Sequence, residues 1–145
     1  MKSYLEHFFS FKCSPDVLPF FGPNRHTPKE ITESMAMWRA ATDILHVKSD
    51  DDILAIVIGD GKRPRTAGLL SHVTKWDCVS IDPIADLGWF LEYEKLRRGS
   101  SNPLERIVSY QLKAEHAKIA CEKKRTILFL PHSHATMSAA LNVPY

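Results

Sequence analysis

Cysteine is scarce in this chain of 145 residues: Cys13, Cys78 and Cys121 stand far apart, odd in number, with no C-x-x-C pair. That spacing argues against a disulfide framework or a zinc site of the C-x-x-C kind and reads as buried thiols in a reducing compartment. Charge of one sign is also in little excess. Nineteen Lys and Arg against seventeen Asp and Glu give a formal net charge of +2, too small to imply nucleic acid unless it is concentrated in a patch. Long apolar runs are missing as well. No segment approaches the roughly eighteen apolar residues that a membrane span requires, and the aromatic run at the amino terminus is interrupted by Glu6 and His7, unlike the core of a signal peptide. The expectation is a soluble, intracellular, most simply cytoplasmic protein with no membrane partner. No internal repeat or low-complexity tract is present.

With 44% hydrophobic and 25% charged residues the composition is that of a folded chain, and its length allows one domain with one core of ordinary size. Residues 1–27 are dense in Phe and Pro, with Pro15, Pro19 and Pro23. Proline blocks a long helix, so this stretch is expected to be an irregular arm that packs its aromatics on an α/β body spanning residues 28–145. Thr27 before Pro28, with Glu30 following, reads as a helix start. Ile31, Met35, Trp38, Ala41, Ile44 and Leu45 then recur at helical spacing to about residue 46.

Residues 53–58 are a continuous apolar run of the kind buried on both faces of a parallel sheet. A glycine turn follows at Gly59 and Gly61, then a helix over 66–75 and a second strand over 76–81. Residues 84–98 suit either a helix or a short strand with a turn. A helix is expected over about 103–124, on the spacing of Leu104, Ile107, Val108, Leu112 and Ile119, and a third strand over 126–130. Alternating strands and helices predict a three-layer α/β fold, mainly parallel, with helices on both faces, small or incomplete. A sheet so short leaves an edge that a protein partner or self-association would cover.

The chemistry-bearing residues gather at strand ends. Glycines let the backbone turn close to a ligand, and the helix that follows favours negative charge. Asp82 ends the second strand twenty-three positions after Gly59, where a carboxylate can accept the hydroxyls of a ribose. Lys62, Arg63 and Arg65 place three cations beside the turn, suited to phosphate or an RNA backbone, or simply to solvent. His132 and His134 flank Ser133 just past the third strand. Such a pair can ligate metal, act as a base or contact substrate, or be ordinary strand-end residues; no metal is expected, since further ligands are not evident. Ser133 lacks the glycines of a nucleophile elbow.

On the apolar strand, Gly59, Gly61 and Asp82, residues 30–134 resemble the class I S-adenosylmethionine-dependent methyltransferases. The resemblance implies S-adenosylmethionine as cofactor, a pocket lined by Gly59, Asp60, Gly61 and Asp82, and His132 and His134 facing the methyl acceptor. The chain departs from that family's pattern in three places. Val57 stands where an acidic residue often precedes the first glycine, Arg63 stands at the third glycine position, and residues 131–134 lack the Asp/Asn-Pro-Pro-aromatic motif of amine-methylating members. A non-catalytic interaction or assembly module on the same fold is therefore a rival expectation, and a dinucleotide binder using residues 62–65 is a third.

Overall fold

A computed structural model describes residues 3–97, 103–119 and 125–131. Three helices come first: α1 (Tyr4–Ser10), α2 (Ser14–Phe21) and α3 (Thr27–Ile44). Then β1 (Ile53–Ile58), α4 (Arg65–Val73), β2 (Asp77–Ile81), α5 (Leu87–Leu96), β3 (Ile107–Tyr110) and β4 (Arg125–Phe129) follow, with short 3-10 turns at Pro103–Arg106 and Ala114–His116. The four strands form one sheet in the order β3-β2-β1-β4, parallel at every pairing. This is the α/β, Rossmann-like class that the alternation of elements predicts.

The strand order follows from burial. All six residues of β1 are buried, so it takes the middle of the sheet with neighbours on both edges. Ile53, Ala55 and Val57 face a core shared with the helices, while Leu54, Ile56 and Ile58 face the other side, where Leu112, Ala114, Ala117 and Ile119 around the second 3-10 turn pack on the sheet. The chain winds from β1 to β2 to β3 in one direction, then returns to β4 on the opposite side of β1. Ligands of open parallel sheets bind where the strand order reverses, outside the carboxyl ends of the strands. That point lies at the ends of β1 and β4.

Two expectations from sequence are corrected. The proline-rich amino terminus is two short helices, not an irregular arm. Pro15 falls in the first turn of α2, where a missing N–H costs nothing, and Pro19 comes only two residues before the helix ends at Gly22, whose φ is 73°. A helix that brief forgoes little by losing one bond. The helix expected over 103–124 is likewise replaced, in its described part, by a 3-10 turn and β3. Ile107, Val108 and Tyr110 are β-branched or aromatic, and Ile107 enters the helix-side core opposite Cys78 of β2; the open edge of β2 offers pairing that helical periodicity does not register. In residues 84–98, where the sequence left two options, the helix α5 forms, with Asp86 accepting from the Trp89 N–H at 3.0 Å as its cap.

Helix α4 lies close against α2 because Gly68 carries no side chain. A Cβ built there would sit 2.6 Å from Cγ of Phe20, which is fully buried and has nowhere to move. Gly68→Ala is expected to cost about 2 kcal/mol, the overpacking penalty outweighing alanine's better helix propensity. Urea unfolding checks this; an unchanged or raised midpoint would show that α2 is not pressed against α4.

Candidate functional site: the glycine turn at the carboxyl edge

The apolar run of β1 ends at Ile58 and the backbone turns through Gly59 (φ 80°) and Gly61 (φ 90°). Both lie in the left-handed region where a side chain is disfavoured, which is why the strand hands over here. At Gly61 a Cβ would also stand 3.1 Å from the Arg65 guanidinium. The Gly59 N–H donates to the Ile81 carbonyl at 2.9 Å, carrying the β1–β2 ladder one step into the turn.

The two acids that the sequence assigns to the pocket have different jobs. Asp82 closes the turn from the end of β2. One carboxylate oxygen accepts from the Gly61 N–H at 2.8 Å and the other from the Ile84 N–H at 2.9 Å. Each oxygen has lone-pair capacity left for a further donor, and the residue keeps 7% exposure. Asp60 keeps none. Its carboxylate turns inward and accepts from the Thr66 N–H at 2.8 Å, the Ala67 N–H at 3.1 Å and the Ser80 hydroxyl at 3.2 Å. Thr66 and Ala67 open α4, and Pro64 at its N-cap position has no side-chain acceptor to offer, so Asp60 satisfies those amides from outside the helix. Asp60 thus holds the turn, with both carboxylate oxygens engaged by α4 and Ser80 inside the fold. Burial pushes its carboxyl above the usual range, opposed by the two amides, the Arg65 charge and the Ser80 hydroxyl.

The basic cluster also divides. Arg63 donates from Nη1 to the Pro19 carbonyl at 2.7 Å, with its guanidinium 4.5 Å from the centre of the Trp89 ring. Arg65 pairs with Glu30 at 3.2 Å, both about a fifth exposed. Both guanidiniums are thus engaged within the fold. Lys62 is exposed, while its carbonyl accepts from the Asp86 N–H at 2.6 Å. Val57, at the position where an acid was expected from the resemblance, is fully buried in the helix-side core.

Residues 130 and 131 bring the chain past β4 to the same edge of the sheet. His132 and His134 lie outside the described residues. Among the described residues no three His, Cys, Asp or Glu side chains gather as a metal site, and no helix is long and apolar enough to cross a membrane.

The sequence reading missed the polar layer under the turn. Ser34 and Thr66 share a buried hydrogen bond of 2.8 Å that joins α3 to the start of α4, beside the Asp60–Ser80 contact. Ser34 sits one residue before Met35 in an otherwise apolar helix face, a signal too weak to read alone. Ile84, 58% exposed two positions after Asp82, adds an apolar surface beside the acid. No protein-family model, no curated protein and no solved structure matches this chain.

Proposed function

We propose that this turn binds the adenosyl moiety of S-adenosylmethionine or a close relative, and that the protein is methyltransferase-like. The observation that carries the reading is the way Asp60 fills the amino end of α4. In phosphate-binding folds that helix end receives the anion; here a carboxylate of the chain already occupies it, and Arg63 and Arg65 are spent on internal contacts. A ligand with a phosphate would find neither amides nor guanidiniums waiting. A nucleoside without phosphate needs neither, and Asp82 retains acceptor capacity for its ribose hydroxyls beside the apolar surface of Ile84. Lys62, exposed on the turn, suits the carboxylate of the amino-acid part. Catalysis would consist mainly of holding the sulfonium methyl in line with its acceptor, with His132 and His134, which follow β4 in sequence, as the groups nearest the acceptor.

A second reading has its own support. The Gly59 and Gly61 amides and the Asp60 carboxylate are all satisfied within the fold, as they would be in an assembly module that keeps the turn without the ligand; fold resemblance does not transfer function. Calorimetric titration with S-adenosylhomocysteine separates the two. Micromolar binding is expected, weakened about tenfold or more in Asp82→Ala, as for loss of a charge-assisted hydrogen bond. NADH is expected to give no heat. Silence from S-adenosylhomocysteine would remove the cofactor reading and leave the module; binding of NADH in its place would overturn the argument from the occupied helix end.

A further inference from the structure

Each residue of the ligand turn is fastened to a different part of the fold. Gly59 is held by β2, Asp60 by α4 and Gly61 by Asp82, while the Lys62 carbonyl is held by the residue that caps α5. Arg63 carries the tie to the amino-terminal helices. Its Nη1 donates to the carbonyl of Pro19 in the last turn of α2, where helix carbonyls lack partners of their own and a cation complements the helix dipole. One side of the guanidinium lies over the Trp89 ring, and the backbone of Gly22 passes so near that a Cβ there would meet Nη1 at 3.4 Å. Trp89 in turn stacks on Tyr93, with centroids 5.1 Å apart and planes within 9°. The Tyr93 hydroxyl donates to the Asp16 carbonyl at the start of α2, and Phe20 meets both rings edge-on.

We infer that Arg63 is a positioning residue, and that through it α2 and α5 set the shape of the glycine turn and hence its fitness for a ligand. A planar cation wedged between an aromatic ring and a helix end fixes the backbone on which it sits, because it loses little further freedom in making each contact. At the position where a glycine would leave the turn loose, the chain instead has a side chain that reaches across to the amino-terminal segment. The amino-terminal helices thereby become part of the site through the contacts of Pro19 and Gly22 with Arg63. A preorganised turn binds more tightly because less ordering accompanies association. That a ligand meets this turn rests on the reading proposed above; that Arg63 shapes it does not.

Amide hydrogen exchange of the protein without ligand tests the positioning role. Arg63→Ala is expected to speed exchange of the Gly61 amide about tenfold while leaving the β1 amides unchanged, since the opening is local. Arg63→Lys, which keeps a donor for Pro19 but no planar face for Trp89, is expected to fall between. Tyr93→Phe provides the control. It removes the Tyr93 bond to Asp16 at the start of α2 but keeps the ring stacked on Trp89, so the Arg63 contacts with Pro19 and Trp89 stay in place and Gly61 should exchange as in the parent protein. If Arg63→Ala leaves Gly61 unchanged, or if Tyr93→Phe accelerates it equally, the positioning role is wrong and α2 is merely packed nearby. Titration with S-adenosylhomocysteine is the second readout, with affinity about fivefold weaker in Arg63→Ala and within twofold of the parent in Tyr93→Phe, as expected when preorganisation is lost. Should the parent itself fail to bind, the ligand reading falls while the exchange result still decides the role of Arg63. Should it bind with Arg63→Ala no weaker, the link from turn shape to ligand is overturned.

Discussion

Replacing Phe20 with alanine is expected to lower the unfolding free energy by about 4 kcal/mol, within the range for truncating a buried aromatic side chain. Phe20 is fully buried, meets the rings of His72, Trp89 and Tyr93 at centroid distances of 5.9, 5.3 and 5.2 Å, and lies directly on Gly68. Gly68 opposite has no side chain with which to fill the space, which places this site toward the costly end for cavity formation. Urea unfolding followed by fluorescence and by far-ultraviolet circular dichroism measures the loss, and coincident transitions would show that α1 and α2 unfold with the sheet. A loss below about 1 kcal/mol would instead mean that the amino-terminal helices are a detachable arm, as their proline content alone suggests, with the Phe20 cavity collapsing at little cost.

Asp60→Ala is expected to be nearly as damaging, at about 3 kcal/mol, because it strands the Thr66 and Ala67 amides and the Ser80 hydroxyl in a buried setting. The loss is offset in part, since a carboxylate need no longer be desolvated. That offset makes the site sensitive to pH. The Asp60 carboxyl titrates above its usual range when folded, chiefly because it is buried, so between the unfolded and folded values the native state binds more protons than the unfolded state. Stability then falls as pH rises through that window, and the contribution present in acid is gone above the folded value. Asp60→Asn, neutral at every pH, removes this slope while keeping one acceptor for the helix amides. The difference in stability between the parent and the Asn variant should therefore shift in favour of the variant as pH is raised from about 4 toward neutrality. Unfolding midpoints at several pH values measure it. A difference that stays flat, or that moves in favour of the parent as pH rises, would mean that the hydrogen bonds to the carboxylate outweigh its desolvation.

The two substitutions mark where sequence and structure part. The segment from β1 through the glycine turn, α4 and β2 was legible because each of its signals is local: an unbroken apolar strand, glycines where φ must be positive, and a helical stripe at Leu69, Leu70 and Val73. The alternation of such segments is enough for the α/β class and the parallel sheet. What was not legible was the partner of each polar side chain. Asp60 and Asp82 read alike in the sequence, both acids at a strand end, yet one is swallowed by the start of α4 while the other remains at the edge. Arg63 and Arg65 read as an anion patch, and only the docking of α2, α3 and α5 turns them into internal ties.

By itself, then, the sequence determined the fold class, the middle strands and the place of the turn, because hydrophobic period and backbone freedom act over a few residues. Tertiary structure alone decided that Ile107–Tyr110 is a strand, that residues 4–21 form two helices in contact with the body, and which charges are engaged within the fold. Those outcomes depend on which surfaces meet across long separations, as Pro19 meets Arg63 and Asp16 meets Tyr93. A free β2 edge overrides helical spacing, and a buried amide pair claims whichever carboxylate can reach it, since an unsatisfied buried donor costs more than a local preference yields.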